Sequence, residues 1–360
     1  SNIMSMISKS IAMAISRRRN VNKIGTRMNS SLFKISQKKK DHDYCVNLVE
    51  TRDKEGYLCG ILMPNNSRNH GFALRAFNVE VASIKSGSEL YNNRPRASDQ
   101  VEISIGQRMR FQWWREALEK IYENKVVEET GVNRSHDAFT RMSFGFEANP
   151  VFRALDLAVQ DKNLTRRFLE RLLDSREVGL AIQQLDTMNE VIQYAEESSS
   201  SLLYLSLECC GVRDDAADEV ASDVGIALGI VTAIRSICHR AVYGEMAIPK
   251  EILATPIPSE YLISRHNPEF LKNEEYERIL HEAVHHMAYT ATQFLIRARA
   301  SQSEVPKQGR EALLPAIAAL HYLEKLKEVN YNVFDDKLHP EQGKLIFLAM
   351  MGRAWLTGKF

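Results

Sequence analysis

From about Cys45 to the C-terminus, one amphipathic helical segment follows another, and the breaks between them are marked by prolines. No other feature constrains the fold as much. Proline lacks a backbone N–H, and its ring clashes with the preceding turn, so it ends or kinks a helix that contains it. Pro64, Pro95, Pro150, Pro249, Pro256, Pro258, Pro268, Pro306 and Pro340 all fall where the apolar period lapses. The segments between predict helices near 45–62, 68–87, 100–124, 150–160, 164–184, 187–210, 214–242, 273–301, 309–328 and 341–357. The stretch 125–149 predicts a poorly packed connection or short helices. No useful length alternates with a period of two, as a strand would. No linker rich in Gly, Pro or Ser interrupts the chain after residue 45, so the expectation is a single all-α domain over 45–360.

Two of these segments are unusual. One contains HGFALRAFNVEVASIKSG, the other EVASDVGIALGIVTAIRSICHRAVYG. The second carries Ala221, Ser222, Gly225, Ala227, Gly229 and Ala233 within three turns. Glycine inside a helix costs about 1 kcal/mol relative to alanine, usually offset by close approach of a neighbour. The preceding SSSSLLYLSLECCG is also rich in small residues. Tight helix packing accounts for this composition, and so does an elongated cavity within a bundle.

Charge is unevenly distributed. Residues 1–40 hold ten Lys and Arg and no acid, which leaves 37 basic against 46 acidic residues in the remainder, a net of −9. A basic, Ser-rich, acid-free leader with an amphipathic face (Met6, Ile7, Ile11, Met13, Ala14, Ile15) has the features of a mitochondrial transit peptide. The expected division is therefore a leader over 1–44, removed on import up to about residue 40, and a helical domain over 45–360. The acidic body argues against a general nucleic-acid binder. Cys45, Cys59, Cys209, Cys210 and Cys238 form no CxxC pair and read as reduced core thiols. The longest apolar run, VGIALGIVTAI, is well short of the roughly 20 residues of a membrane span, so membrane contact is expected to be peripheral.

Several stretches have a recognisable wording. They include EGYLCGILMP at 55–64, FALRAFNVEVA at 72–82, RMRFQWWREALEKIYEN at 108–124 and LTRRFLERLLDSRE at 164–177. They continue with YAEESSSSLLYLSLECCGV at 194–212, VGIALGIVTAIRS at 224–236, GEMAIP at 244–249 and VNYNVFDDKLHP at 329–340. On these words the chain resembles the squalene/phytoene synthase superfamily. The resemblance implies an isoprenoid-synthase-type helical bundle. In active members two helices carry aspartate sets that hold magnesium against a diphosphate. Laid on this chain, the first set falls on Ala82, Ser83 and Ser86, and the second on Ser236, His239 and Arg240. Carboxylates four residues apart on a helix point the same way and can share metals, whereas Ala and Ser cannot and Arg repels them. Glu80 is the only acid near the first set, one turn away. The resemblance thus implies a vestigial pocket with no cofactor and no catalysis.

His281-Glu282-Ala283-Val284-His285 matches HExxH, a zinc motif when a third ligand exists. Without an evident third ligand it reads as the polar face of a helix. Arg235, His239 and Arg240 could form a cationic mouth for a phospholipid head group or a diphosphate. Alternatively, Arg240 pairs with a nearby acid such as Glu245. Adjacent Trp113 and Trp114 predict one inward and one outward ring. Asp335-Asp336 looks like a turn rather than an acid/base dyad.

The resemblance extends to a branch of the superfamily that assembles respiratory complex I. It implies a non-catalytic mitochondrial assembly factor at the matrix side of the inner membrane. Its partners would be complex I subunits or other assembly factors, with action early on a membrane-arm subunit. The competing expectation is an isoprenoid or phospholipid binder, or a prenyl-diphosphate transferase with relocated metal ligands such as Glu80 and Asp223.

Overall fold

The computed structural model describes residues 35–86, 103–130, 145–265, 271–339 and 342–360. Among these residues there is no strand. The helices are α1 (35–52), α2 (Lys54–Leu62), α3 (Asn65–Ser86), α4 (Ile105–Thr130), α5 (Pro150–Lys162), α6 (Arg166–Ala181) and α7 (Met188–Ala195). They continue with α8 (Ser201–Cys209), α9 (Asp215–Ala241), α10 (Ser259–Ser264), α11 (Glu274–Ser301), α12 (Pro315–Glu328) and α13 (Lys344–Thr357).

The helix ends follow local chemistry. Asp53 caps α2 by accepting the Gly56 N–H at 2.9 Å. Asn149 caps α5 through the N–H groups of Val151 and Phe152, with Pro150 at the first position, where a missing N–H costs nothing. Thr187 and Glu190 close a reciprocal capping box on α7. The helix expected to start at 309 instead starts at Pro315. Lys307–Leu313 forms a 3₁₀ turn, and Pro315 suits only the first turn of the helix that follows. The expected loose connection over 125–149 is helical through Thr130, and Phe146–Ala148 is a short 3₁₀ turn. Residues 131–144 lie outside those described.

Two apolar cores share the molecule. The first joins α1, α3, α4, α5 and α6, with Phe72, Phe77, Phe111 and Leu172 at its centre. The second joins α7, α9, α11 and α12 through Val224, Ile230, Leu280 and Ala319. The short α8 serves both, giving Leu205 and Cys209 to the first and Leu203 and Leu207 to the second. A smaller cluster seats α13 on α2 and α12 through Phe347, Met351 and Ala354. The boundary expected at residue 45 falls inside α1. Asp41, upstream of it, is 3% exposed and bound by the Arg153 guanidinium, with Nε at 2.9 Å. Residues 1–34, the bulk of the expected leader, lie outside those described.

Helix α9 is long and apolar enough to cross a membrane by length and composition. It runs instead through the second core, with Val220, Val224, Ile230 and Ile234 buried. Its glycines permit close approach. A Cβ on Gly225 would lie 2.6 Å from the Ser200 backbone nitrogen, and one on Gly229 would lie 2.8 Å from the Ala195 Cα. Both contacts are with the chain at the π-helical turn Glu196–Ser200, which joins α7 to α8.

Candidate functional site

Helices α3 and α9 face one another across a cavity of about 310 Å³, within the range of small-ligand pockets. From α3 come Val81, Ala82 and Lys85. From α9 come Gly229, Thr232, Ala233, Ser236, His239 and Arg240, and the spacing of Thr232, Ser236 and Arg240 aligns them on one face. Helix α6 adds Arg176, Gly179 and Leu180, and α7 adds Val191 and Tyr194. Small residues therefore serve both alternatives left open by the sequence: they let α9 touch its neighbour, and Gly229 and Ala233 also border the cavity.

Four of the six slots from the resemblance, Ala82, Ser236, His239 and Arg240, line this cavity. Ser83 does not line it and donates to the Glu80 carbonyl on its own helix at 2.7 Å. Ser86 is the last residue of α3. The Ser236 hydroxyl donates to the Ala233 carbonyl at 2.8 Å. His239 meets the Tyr243 ring edge-on.

The expected cationic mouth needs a correction in its membership. Arg235 projects away from the cavity. It pairs with Glu55 at 2.8 Å and lies over the Tyr322 ring, 5.5 Å from its centroid. Five residues of helix leave two side chains about 140° apart, so Arg235 and Arg240 cannot share a direction. Lys85 and Arg176 join Arg240 instead.

Behind the wall sits Glu245, 1% exposed. Its Oε2 accepts from Lys85 Nζ at 2.7 Å and from Arg240 Nε at 3.0 Å. Lys85 also donates to the Gly179 carbonyl. Burial, then repulsion from Arg240, holds the Lys85 ammonium below its usual pKa despite Glu245. Burial pushes the Tyr194 hydroxyl up, but Arg176, Lys85 and Arg240 outweigh it and bring the group below its ordinary value. Arg176 donates only distantly, to Tyr194 at 3.3 Å and Asn78 at 3.5 Å, and its buried Nε has no partner among the described residues. Among the described residues no aspartate or glutamate lines the cavity.

The acids proposed as relocated ligands are engaged elsewhere. Glu80 faces Asn149 at 3.5 Å, and Asp223 pairs with Arg297 at 2.6 Å. Of the HExxH stretch, Glu282 pairs with Arg278 at 2.9 Å and His285 packs against the Tyr331 ring, so these two belong to a polar helix face. Among the described residues no three His, Cys, Asp or Glu side chains converge to hold a metal. Trp114 is buried as the inward ring, but Trp113, expected outward, is half-buried and packs against the Trp114 and Phe146 rings.

Lys85, Arg176 and Tyr194 were not legible as site residues. None of the three occupies a slot of the two aspartate sets, and only the crossing of α3, α6, α7 and α9 gathers them. The available signal was weak: Lys85 and Arg240 are cations one turn beyond small residues on the two unusual helices.

The Squalene/phytoene synthase family profile matches residues 49–344. A Bos taurus protein, NADH dehydrogenase (ubiquinone) complex I, assembly factor 6, is 32% identical over 312 residues, covering 87% of this chain and 81% of its own. The Homo sapiens protein of that name is 32% identical over 315 residues, 88% of this chain and 82% of its own. The crystal structure of squalene synthase HpnC from Alicyclobacillus acidocaldarius superposes with a TM-score of 0.59 at 17% identity, covering 82% of this chain and 97% of that one. At that identity the likeness concerns the fold.

Proposed function

The chain belongs to the squalene/phytoene synthase family, and from that premise we propose that it is a non-catalytic assembly factor for respiratory complex I. One observation carries the reading. In a chain whose curated relatives are complex I assembly factors, the slots at which active members would hold magnesium through carboxylates are Ala82, Ser236, His239 and Arg240 around a cationic cavity. Ionising an allylic diphosphate requires metal to neutralise the departing pyrophosphate. A wall of Lys85, Arg176 and Arg240 repels that metal.

The setting we propose is the mitochondrion, at the matrix side of the inner membrane, with residues upstream of α1 as an import leader. The work is early, on a membrane-arm subunit, alongside complex I subunits or other assembly factors. The face we propose for peripheral membrane contact is α13. It buries Phe347, Met351 and Ala354 but leaves Leu345, Ile346, Trp355 and Leu356 exposed. Lys344, Arg353 and Lys359 flank them, and no acidic side chain occurs from 344 to 360. An apolar face rimmed by cations suits an anionic lipid surface.

Deletion and complementation in mitochondria test the reading. Loss of the protein should deplete complex I and stall a membrane-arm intermediate on native gels. Incubation with magnesium and farnesyl or geranylgeranyl diphosphate should release no pyrophosphate. Normal complex I without the protein, or turnover by the purified chain, would overturn it. The cavity also favours a lipid ligand as a second reading.

A further inference from the structure

A second cavity shares no lining residue with the first. It is a notch of about 180 Å³ between the 3₁₀ turn Lys307–Leu313 and the C-terminal end of α13. Lys307, Arg310, Glu311, Trp355, Leu356 and Gly358 border it. The two segments that form it, 302–314 and 342–360, are each described without a break. Gly358 ends α13 at φ +65°, and its missing side chain makes room for the arginine. A Cβ there would lie 2.9 Å from Arg310 Cδ and 3.1 Å from its Nη1.

The notch holds charges of both signs that are not spent on one another. Among the described residues, none of Lys307, Arg310 and Glu311 has an ion-pair partner, although all three lie on one short turn. Arg310 donates through Nε to the Val305 carbonyl at 3.3 Å. The Glu311 Oε2 is buried with no partner among the described residues, a costly state for a carboxylate oxygen. The neighbouring polar groups are already satisfied. Trp355 Nε1 donates to the Leu62 carbonyl at 3.2 Å, and the Thr357 hydroxyl to the Arg353 carbonyl at 2.8 Å.

A ligand that answers all three charges carries an anion for Lys307 and Arg310 and, close by, a cation with N–H groups for Glu311. A phosphodiester joined through two carbons to a primary ammonium has this form. Its phosphate oxygens suit the guanidinium fork, and its ammonium offers three donors. A choline head has no N–H to donate. A glycerol head has no cation and sets its phosphate against Glu311. The depth also fits. Trp355 and Leu356 border the notch and are exposed on the apolar face of α13. Tryptophan rings favour the headgroup level of a bilayer, so with that face on a membrane the notch meets the lipid phosphates.

We propose that this notch is a headgroup site for phosphatidylethanolamine in a bilayer, with the phosphate between Lys307 and Arg310 and the ammonium at Glu311. The proposal rests on the reading of α13 as the face for peripheral membrane contact. The cations flanking α13 supply general attraction to a membrane, and the notch selects the lipid.

Flotation of the full chain tests this, with vesicles of constant phosphatidylglycerol content whose remainder is phosphatidylcholine or phosphatidylethanolamine. Affinity should be about tenfold higher with phosphatidylethanolamine, as one charge-assisted hydrogen bond supplies, and should fall stepwise as the amine is methylated. Soluble glycerophosphoethanolamine should compete, and glycerophosphocholine should not. Glu311→Gln should erase the preference and bind phosphatidylglycerol-rich vesicles more tightly than the parent does. Looser packing of phosphatidylethanolamine bilayers cannot produce that reversal. Arg310→Gln should weaken binding to phosphatidylethanolamine vesicles about tenfold. Lys307→Gln should weaken it less, with an unchanged urea midpoint because Lys307 is exposed. Equal binding to both vesicle types, a preference indifferent to methylation, or one that survives in a folded Glu311→Gln variant would each overturn the site. Binding without lipid preference removes the notch and leaves the α13 reading standing. No binding to any vesicle removes both and leaves that face to a protein partner.

Discussion

Replacing Glu245 by Gln removes one charge and almost no volume, which isolates electrostatics from packing. The native carboxylate is 1% exposed and holds Lys85 at 2.7 Å and Arg240 at 3.0 Å. With it gone, Lys85, Arg176 and Arg240 share a wall with no counter-charge among the described lining residues. Removing one member of a buried pair costs about 3–5 kcal/mol, mostly through the charge left behind. The side chains of Lys85 and Arg240 are each 25% exposed, so water relieves part of the repulsion and the lower end, about 3 kcal/mol, applies. For a domain this large, 1 kcal/mol moves the midpoint by about 2 °C, giving a fall of about 6 °C. Differential scanning calorimetry and urea unfolding measure it. Adding Lys85→Met should restore stability relative to Glu245→Gln alone. The reasoning fails if Glu245→Gln lies within about 0.5 kcal/mol of the parent, the ordinary range for surface substitutions. It also fails if the double variant is no more stable than the single one.

Gly229→Leu should cost about 1–3 kcal/mol by overpacking against Ala195, lowering protein level and complex I together, whereas Ser236→Ala should change urea stability little because its hydroxyl serves only its own helix. Burial pushes the Cys45 and Cys59 thiols up to about 12, so above the ordinary thiol pKa of about 8.5 the unfolded chain loses protons that the folded one keeps. Stability from these groups is full below that pH and falls as pH rises through the folded pKa; Tyr194 and Lys85, shifted down, oppose it, but Cys209, Cys210 and Cys238 are shifted up too. The urea midpoint should therefore drop between pH 8.5 and about 12, less steeply in a Cys45→Ala/Cys59→Ala variant. On α13, Leu345→Glu with Leu356→Glu should abolish flotation with anionic vesicles while leaving unfolding within about 0.5 kcal/mol, since both side chains are exposed; flotation equal to the parent's would exclude this face.

The helical architecture was open to reading because each helix carries its own period and its own stop. Pro64, Pro150 and Asn149 act locally, and the first core follows from where Phe72, Phe77 and Leu172 fall in their periods. The helix start at Pro315 was not legible because an apolar stretch continues across it, and only the missing N–H separates the 3₁₀ turn from the helix. The cavity was half legible. Gly229, Ser236 and Arg240 announced a special face on α9, and the two roles open to Arg240, cationic lining and a pair with Glu245, both hold. Direction was the harder quantity. Arg235 looked equivalent to Arg240, yet five residues of helix turn it toward Glu55. Arg176 and Tyr194 belong to helices far away in sequence, and no local pattern tells that they meet.

The single turn at Glu196–Ser200, where the helix of α7 and α8 is wound one residue wider, acts as a gear change. A regular α-helix presents one stripe to one partner. This one presents two: Met188 and Val191 face the second core before the turn, and after it Leu205 and Cys209 face the first while Leu203 and Leu207 still face the second. Deleting one residue there would leave a tidier helix with every later side chain rotated by about 100°. Glu208, which takes the Thr165 N–H at 2.8 Å and the Arg213 guanidinium, would swing off the start of α6. Length in this segment is therefore less negotiable than composition. An insertion or deletion of one residue there would uncouple the two halves of the molecule at the edge of the cavity they share.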